Sequence, residues 1–402
     1  MKTKILVLAL VLATVTTVAI YPTLRGNATG VTPPKPPVTP TQIVPLAQSG
    51  KIDVVFVLDT TGSMGGLIQA AKEKIWSVAS TLAQAKQSPE IRMGLVAYRD
   101  RGDAYVTQVV DLSNDLDTMY STLMRFNADG GGDGPESVNK GLFDAVYKMS
   151  WSEDPQAYKV VFLVGDAPPH MDYQDDVKYP EVVAAAVQKG IVVNTIQCGR
   201  ASDTVTPWQQ IASLGHGRYF TVDQAGGAVA IATPFDGELA KLAAELDSTR
   251  LYYGTERERA TMDRKVAATS ELHEAASPAA QARRAAFNAS ASGAANLLGD
   301  KDLVNDVATG RVDLAAVPAV ELPASIAALP PEQQAQELKE RSEKREKLQH
   351  QINELAGERD EFIAAKVKEQ GGAEGSLDVQ IYDAVREQGK AAGLSYEGGP
   401  KF

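Results

Sequence analysis

Three short stretches place hard oxygen donors beside glycine. Asp59, Thr61 and Ser63 alternate in Asp59-Thr60-Thr61-Gly62-Ser63-Met64, directly after the apolar run 52–58 (IDVVFVL). Where a strand turns into a helix, that spacing lets all three side-chain oxygens face one point. The second stretch is Asp129-Gly130-Gly131-Gly132-Asp133-Gly134-Pro135-Glu136, and the third is Gly165-Asp166-Ala167-Pro168-Pro169-His170 after the apolar run 159–164. Carboxylates and hydroxyls without imidazole or thiolate select Mg²⁺, Ca²⁺ or Mn²⁺. With one cysteine, Cys198, and four histidines spread along the chain, neither an internal disulfide nor a Cys/His metal cluster is expected. Each stretch also has a plainer reading. Thr61 and Ser63 can cap the next helix, Gly131 and Gly132 can serve a turn, and Asp166 can start one.

Bringing the three stretches together requires a particular set of elements. Apolar strand-like runs at 52–58, 91–98, 105–112, 159–164, 191–197 and 218–222 alternate with helical patterns at 65–87, 116–126, 137–149, 180–189 and 208–214. The segment Arg99-Asp100-Arg101-Gly102-Asp103 reads as a hairpin turn between the second and third strands. Strands separated by helices of this length are mostly parallel, so the fold class is α/β, an open doubly wound sheet. In such sheets ligands bind outside the carboxyl ends of the strands. Asp59 and Asp166 each end a strand, and the glycine-rich loop opens a helix beside them.

In these motifs the chain resembles the von Willebrand factor type A family. Asp59-Thr60-Thr61-Gly62-Ser63 is similar to that family's D-x-S-x-S motif, with threonine in the first serine slot, and Gly165-Asp166 is similar to its third motif. The middle motif departs: Gly132-Asp133-Gly134-Pro135-Glu136 stands where a threonine is usual. The resemblance covers about residues 51–246. It implies a Rossmann-like fold and a metal-ion-dependent adhesion site in which Asp59, Thr61, Ser63, Asp133 and Asp166 hold Mg²⁺, or Ca²⁺ or Mn²⁺. Asp133 is the first choice in the middle loop and Glu136 the second, with Glu136 expected to face away from the ion; Gly132, Glu136 and His170 are assigned to ligand contact. In the family a partner's carboxylate commonly completes the coordination. A carboxylate in the middle slot would hold metal more tightly and attract an acidic partner less.

The chain has 402 residues, 40 Lys and Arg against 51 Asp and Glu, and a formal net charge of −11. That sign gives no general attraction for phosphate backbones, so nucleic acid is not an expected partner. Residues 1–28 read as a signal peptide or membrane anchor: Lys2 and Lys4 precede the uncharged run 5–20. Residues 29–50 are a proline-rich linker. Residues 51–249 form the α/β domain, expected to fold alone from Gly50 to Thr249. Residues 250–402 form an α-helical region. Its segment 332–369 is densely charged, with Leu348, Ile352, Leu355 and Phe362 at coiled-coil-like spacing. Arg345 and Arg359 interrupt that seam and favour packing against the chain's own helices over a partner zipper. The function expected is an exported, metal-dependent adhesion or protein-binding module acting on a protein or cell-surface ligand. It would be secreted, periplasmic or on the cell surface, with membrane contact only through the N-terminal segment. The alternative is a metal-dependent hydrolase of phosphoesterase type using the same crevice.

Overall fold

Parallel strands need crossovers, and the apolar runs found above are joined by helices that supply them. The computed structural model describes residues 50–132, 134–224, 231–373 and 376–402. The proposed signal, the proline-rich linker and Asp133 lie outside the described residues. In chain order the α/β half comprises β1 (Lys51–Asp59), α1 (Gly65–Ala83), β2 (Glu90–Tyr98), β3 (Thr107–Ser113), α2 (Leu116–Arg125) and α3 (Val138–Tyr147). It continues through β4 (Tyr158–Gly165), α4 (Tyr179–Gln188), β5 (Ile191–Cys198), α5 (Ser202–Leu214) and β6 (His216–Val222).

The strand order is β3-β2-β1-β4-β5-β6. Every pairing is parallel except β2 with β3, which is antiparallel across the expected hairpin. The chain first runs outward from β1 to β3 and then restarts at β4 on the other side. The order therefore reverses between β1 and β4, and the crevice of the doubly wound rule opens there, beyond Asp59 and Asp166.

Strand β1 is buried on both faces, which is why 52–58 reads as a continuous apolar run. Ile52, Val54, Phe56 and Leu58 face one core, while Val55 and Val57 face the other. The second core is closed by α3, α4 and α5. The first is closed by α1 and α2 together with residues from the far end of the chain.

That far end is helical, as its alanine-rich and charged composition predicts. It contains α6 (Asp236–Asp247), α7 (Glu256–Ala275), α8 (Pro278–Ala289), α9 (Ala294–Leu298), α10 (Leu303–Ala308), α11 (Ala324–Ala327), α12 (Pro331–Glu369) and α13 (Leu377–Gln388). A capping box of Thr255 and Glu258 starts α7, and Ser277 and Ser376 cap α8 and α13. Leu272, Ala280 and Phe287 of α7 and α8, and Ile381, Ala384 and Val385 of α13, belong to the same apolar cluster as β1. The expectation of an independent unit from Gly50 to Thr249 therefore meets a shared core.

Helix α12 packs on α6, α8 and α10 of its own chain. The two arginines that interrupt its seam are buried and paired within the chain. Arg345 is bidentate to Asp302 at 2.8 and 3.1 Å and also donates to the Thr249 carbonyl, and Arg359 donates to Asp236 at 2.8 Å. Among the described residues no helix is long and apolar enough to cross a membrane.

Candidate metal centre

The β1–α1 turn shows what its hydroxyls contact. Thr61 precedes a single 3-10 turn, Gly62–Met64, and its side chain makes no cap hydrogen bond; Met64, at the N-terminus of α1, makes none either. Instead the Thr61 hydroxyl and amide donate to Asp59 Oδ1 at 2.6 and 2.9 Å, and the Ser63 hydroxyl lies 3.4 Å from that of Thr61. Ser63 is exposed at the rim and Asp59 is wholly buried at the floor. The capping reading of these residues thus loses its contacts.

The glycine-rich loop lies directly on this turn. The Gly62 amide donates to the Gly130 carbonyl and the Asp129 amide to the Thr60 carbonyl. Gly130 and Gly131 both have positive φ, at 76° and 72°. At Gly131 a side chain would be excluded twice over, since a Cβ would sit 3.0 Å from both Glu136 Oε1 and Thr61 Cβ. Glu136 Oε1 and Thr61 thus flank Gly131 on two sides. The Glu136 main chain is bound to the third motif: the Glu136 amide donates to the Pro168 carbonyl at 2.9 Å, and the His170 amide donates to the Glu136 carbonyl at 3.1 Å. Glu136 is 3 % exposed. The expectation that it faces away from the site is corrected: it turns inward because this short parallel bridge to Pro169 fixes the direction of its side chain.

Asp166 completes the floor from the end of β4. Its Oδ2 accepts from Gln224 Nε2 at 2.7 Å, and the same amide reaches the Ser63 carbonyl at 3.3 Å. Gly165 must be small, since a Cβ there would meet the Tyr98 hydroxyl and sit 3.1 Å from Asp59 Oδ2. Tyr98 and Gln224 are contributions that sequence reasoning missed. Tyr98 carried a weak signal, as the residue that ends β2 in register with Asp59.

Burial dominates the electrostatics of the crevice carboxyls. Burial pushes Asp59 up to about 7 against the Thr61 donors, with Asp166 adding to the rise. Burial pushes Glu136 up to about 9, and the charged groups that add to the rise are Asp59, Asp100, Asp103 and Asp166, all acidic. Asp59 Oδ2, Glu136 Oε2 and the Tyr98 hydroxyl are buried with no hydrogen-bond partner. Such groups are costly to leave unsatisfied, and a cation among them would meet that need. Among the described residues no three His, Cys, Asp or Glu side chains are grouped closely enough to hold an ion unaided. An ion here would need hydroxyl and water oxygens beside the carboxyls, a donor set that suits a hard cation.

Other residues singled out in the sequence lie elsewhere. Gly132 is exposed, with open space around it. The His170 ring is buried, stacked on Tyr173, with Nδ1 2.8 Å from Asp172 and Nε2 3.2 Å from Asp100. In Arg101-Gly102-Asp103 both charges are used internally. Arg101 pairs with Asp175 and Asp176, and Asp103 accepts from the Gly131 amide and so holds the glycine loop. Arg99 reinforces that loop by donating to the Thr60 and Asn127 carbonyls. Cys198 is a buried thiol whose ionisation burial opposes.

Comparisons with known proteins concern the α/β half of the chain. The chain is 30% identical over 120 residues to the alpha-protein kinase vwkA of Dictyostelium discoideum, covering 30% of this chain and 19% of that protein. It thus spans about a fifth of that relative's length. Among solved structures, BatB from Bacteroides thetaiotaomicron aligns over 43% of this chain and 90% of its own at 16% identity and a TM-score of 0.33. Proximal thread matrix protein 1 from the mussel byssus, solved with zinc in its MIDAS motif, aligns over 43% of this chain and 42% of its own at 19% identity and a TM-score of 0.34. The sequence model described as von Willebrand factor A domain matches residues 53–234, a span that begins in β1 and contains all three motifs. The α/β half of this chain is a von Willebrand factor A domain.

Proposed function

We propose that the chain is an exported binding protein that takes a protein partner at a divalent cation in the β1/β4 crevice. The cation is Mg²⁺ in this reading, with Ca²⁺ or Mn²⁺ as substitutes. Asp59, Thr61, Ser63 and Asp166 hold it directly or through water, together with a carboxylate from the glycine-rich loop. When bound, the ion supplies a Lewis-acid position for an oxygen of the partner. The observation that carries the reading is the pair of buried, unpartnered carboxyl oxygens, Asp59 Oδ2 and Glu136 Oε2, in a crevice walled by hydroxyls. Export rests on the positively charged start and apolar run of residues 1–20.

The test is thermodynamic linkage. A ligand that binds only the folded state raises the melting temperature with its concentration. Mg²⁺ or Mn²⁺ should therefore raise the melting temperature of the whole chain, and Asp59→Ala should abolish that rise. An equal rise in the variant would remove the turn from the metal site. Capture of a partner from the exporting cell should then be lost in chelator, and capture that is indifferent to chelator would place the partner elsewhere.

A further inference from the structure

Helices α1, α8 and α12 leave between them a cavity of about 310 Å³ that shares no lining residue with the crevice. Its wall holds hydrogen-bond donors that the chain itself does not use. Ser77 and Ser80 lie three residues apart on α1 and both line the cavity, and neither hydroxyl has a hydrogen-bond partner. Helical hydroxyls elsewhere in the chain, at Thr122, Thr261 and Ser270, donate to the carbonyl four residues back. Arg283 of α8 and Arg359 of α12 are only 4 % and 3 % exposed, yet Arg283 Nε and Arg359 Nη2 are also without a partner. Elsewhere on the same guanidiniums, Arg283 Nη1 donates to the Glu73 carbonyl at 3.3 Å. Arg359 donates from Nε to Asp236 at 2.8 Å and from Nη1 to the Phe402 carbonyl at 3.4 Å. Buried donors left free are costly, and a wall of them calls for an acceptor.

We infer that this cavity binds a small organic monocarboxylate, its oxygens received by the Ser77 and Ser80 hydroxyls, Arg283 Nε and Arg359 Nη2, and its apolar part lying against Phe287 and Ala286. The donors are of the right kind, because guanidinium N–H and hydroxyl groups match the lone pairs of a carboxylate. The space suits a small molecule. The charges choose the head group. Arg283, Arg359, Lys401 and Lys74 are opposed by Glu73, Asp236, Asp360 and Asp378, with Lys401 paired to Asp360 and Lys74 to Asp378 at 3.1 Å. A set that balances in this way leaves a doubly charged phosphate with excess negative charge in a poorly screened place. A single charge is met by the least compensated cation. That cation is Arg283: its acid, Glu73, stands off at 3.7 Å, and burial and the nearby Arg359 both oppose its charge. The rim is open at Gly357, where a Cβ would touch nothing, so a ligand can enter from solvent.

The experiment uses the whole chain in chelator, so that the proposed cation plays no part, with benzoate as the carboxylate and inorganic phosphate as the other head group. Benzoate should raise the melting temperature with its concentration and give saturable heats by calorimetry. Ser80→Ala, which removes one donor from the wall, should weaken benzoate binding on the order of 10-fold. Gly357→Leu closes the rim with a side chain that favours the helix. It should abolish benzoate binding while leaving the ligand-free melting temperature unchanged or higher. Phosphate should give no saturable heat at concentrations where benzoate does. Failure of benzoate to bind, or binding that both variants keep at wild-type affinity, overturns the inference. Phosphate that binds more tightly than benzoate, and is lost in Gly357→Leu, overturns the choice of a monocarboxylate. Because the metal is absent throughout, failure here leaves the reading of the crevice standing, and failure there leaves this one.

Discussion

Two of the regions in which this molecule buries carboxylates treat them in opposite ways. At the junction of the A domain with the helical half, Asp117 of α2 and Asp247 of α6 are held by Arg284 of α8. Arg284 donates to Asp117 at 2.6 and 2.5 Å and to Asp247 at 2.7 and 3.1 Å. Lys265, Thr269 and His273 complete the set. Burial alone would raise both acids, but Arg284 and its neighbours hold Asp117 far below the usual carboxylate range and Asp247 at about 2. In the crevice, burial raises Asp59 to about 7 and Glu136 to about 9, and acidic neighbours push the same way. The chain pairs its own cations with the acids of the junction, whereas Arg99, the cation beside the crevice, is spent on the Thr60 and Asn127 carbonyls and on Asp129. A buried charge is tolerated only when paired, so the junction is part of the fold, while the crevice is where the proposed cation would be needed.

The comparison breaks most sharply if the junction is removed. A chain cut to residues 50–249 would lose Arg284 and Lys265, leaving Asp117 unpaired, and would bare the sheet face now covered by Phe287, Ile381 and Val385. Such a chain should aggregate or show no cooperative thermal transition by circular dichroism. A soluble product with one sharp transition would mean that the two halves are separable and that the junction is a surface contact.

A smaller change addresses the same ion cluster within the intact chain. Arg284→Met keeps length and apolar bulk but removes the shared partner of two buried acids, leaving Asp117 to Lys265 and Asp247 to Arg250 and His273, and breaking such a buried pair typically costs about 3–5 kcal/mol. Urea unfolding at pH 7 should show a loss of that order, and lowering the pH should narrow the gap because Asp117 and Asp247 can then take up protons. A loss under about 1 kcal/mol would place these groups in effective contact with solvent. Metal should still raise the stability of this variant, since the crevice lies apart from Arg284.

How far each region was legible in the sequence follows from how local its contacts are. The strands could be read because β1 and β4 are buried on both faces and so appear as unbroken apolar runs. Asp59, Thr61 and Ser63 could be read because their geometry is set within one turn. Glu136 was assigned second place because its direction depends on the bridge to Pro169, a contact between distant segments that no local pattern encodes. Arg345 and Arg359 were visible as interruptions of a seam, yet their partners Asp302 and Asp236 lie far away in the chain. The place of α13 on the sheet was equally hidden. Its apolar face is evident in Leu377, Ile381, Ala384 and Val385, but nothing in the helix itself names the surface it covers.

The finest test concerns the crevice without metal. A carboxyl whose folded value lies above its unfolded one binds more protons when folded, so stability falls as pH rises between the two values. For Asp59 the ordinary value is 3.8 and the folded one about 7; for Glu136 the ordinary value is 4.5 and the folded one about 9. In chelator, these two groups should therefore contribute their full stability below about pH 4 and lose it progressively as pH approaches 9. Glu136→Gln mimics the protonated carboxyl and cannot ionise. In chelator it should leave stability unchanged at pH 4 and raise it at pH 8 to 9. Saturating Mg²⁺ should flatten the decline in the wild type, because the ion favours the ionised carboxyls and drives their protons off. In the variant, Mg²⁺ should do less. Urea titrations at four or five pH values, with and without metal, separate these effects. A wild-type decline that persists unchanged in Glu136→Gln would mean that Glu136 is solvated, and the contrast between the paired junction and the open crevice would then rest on Asp59 alone.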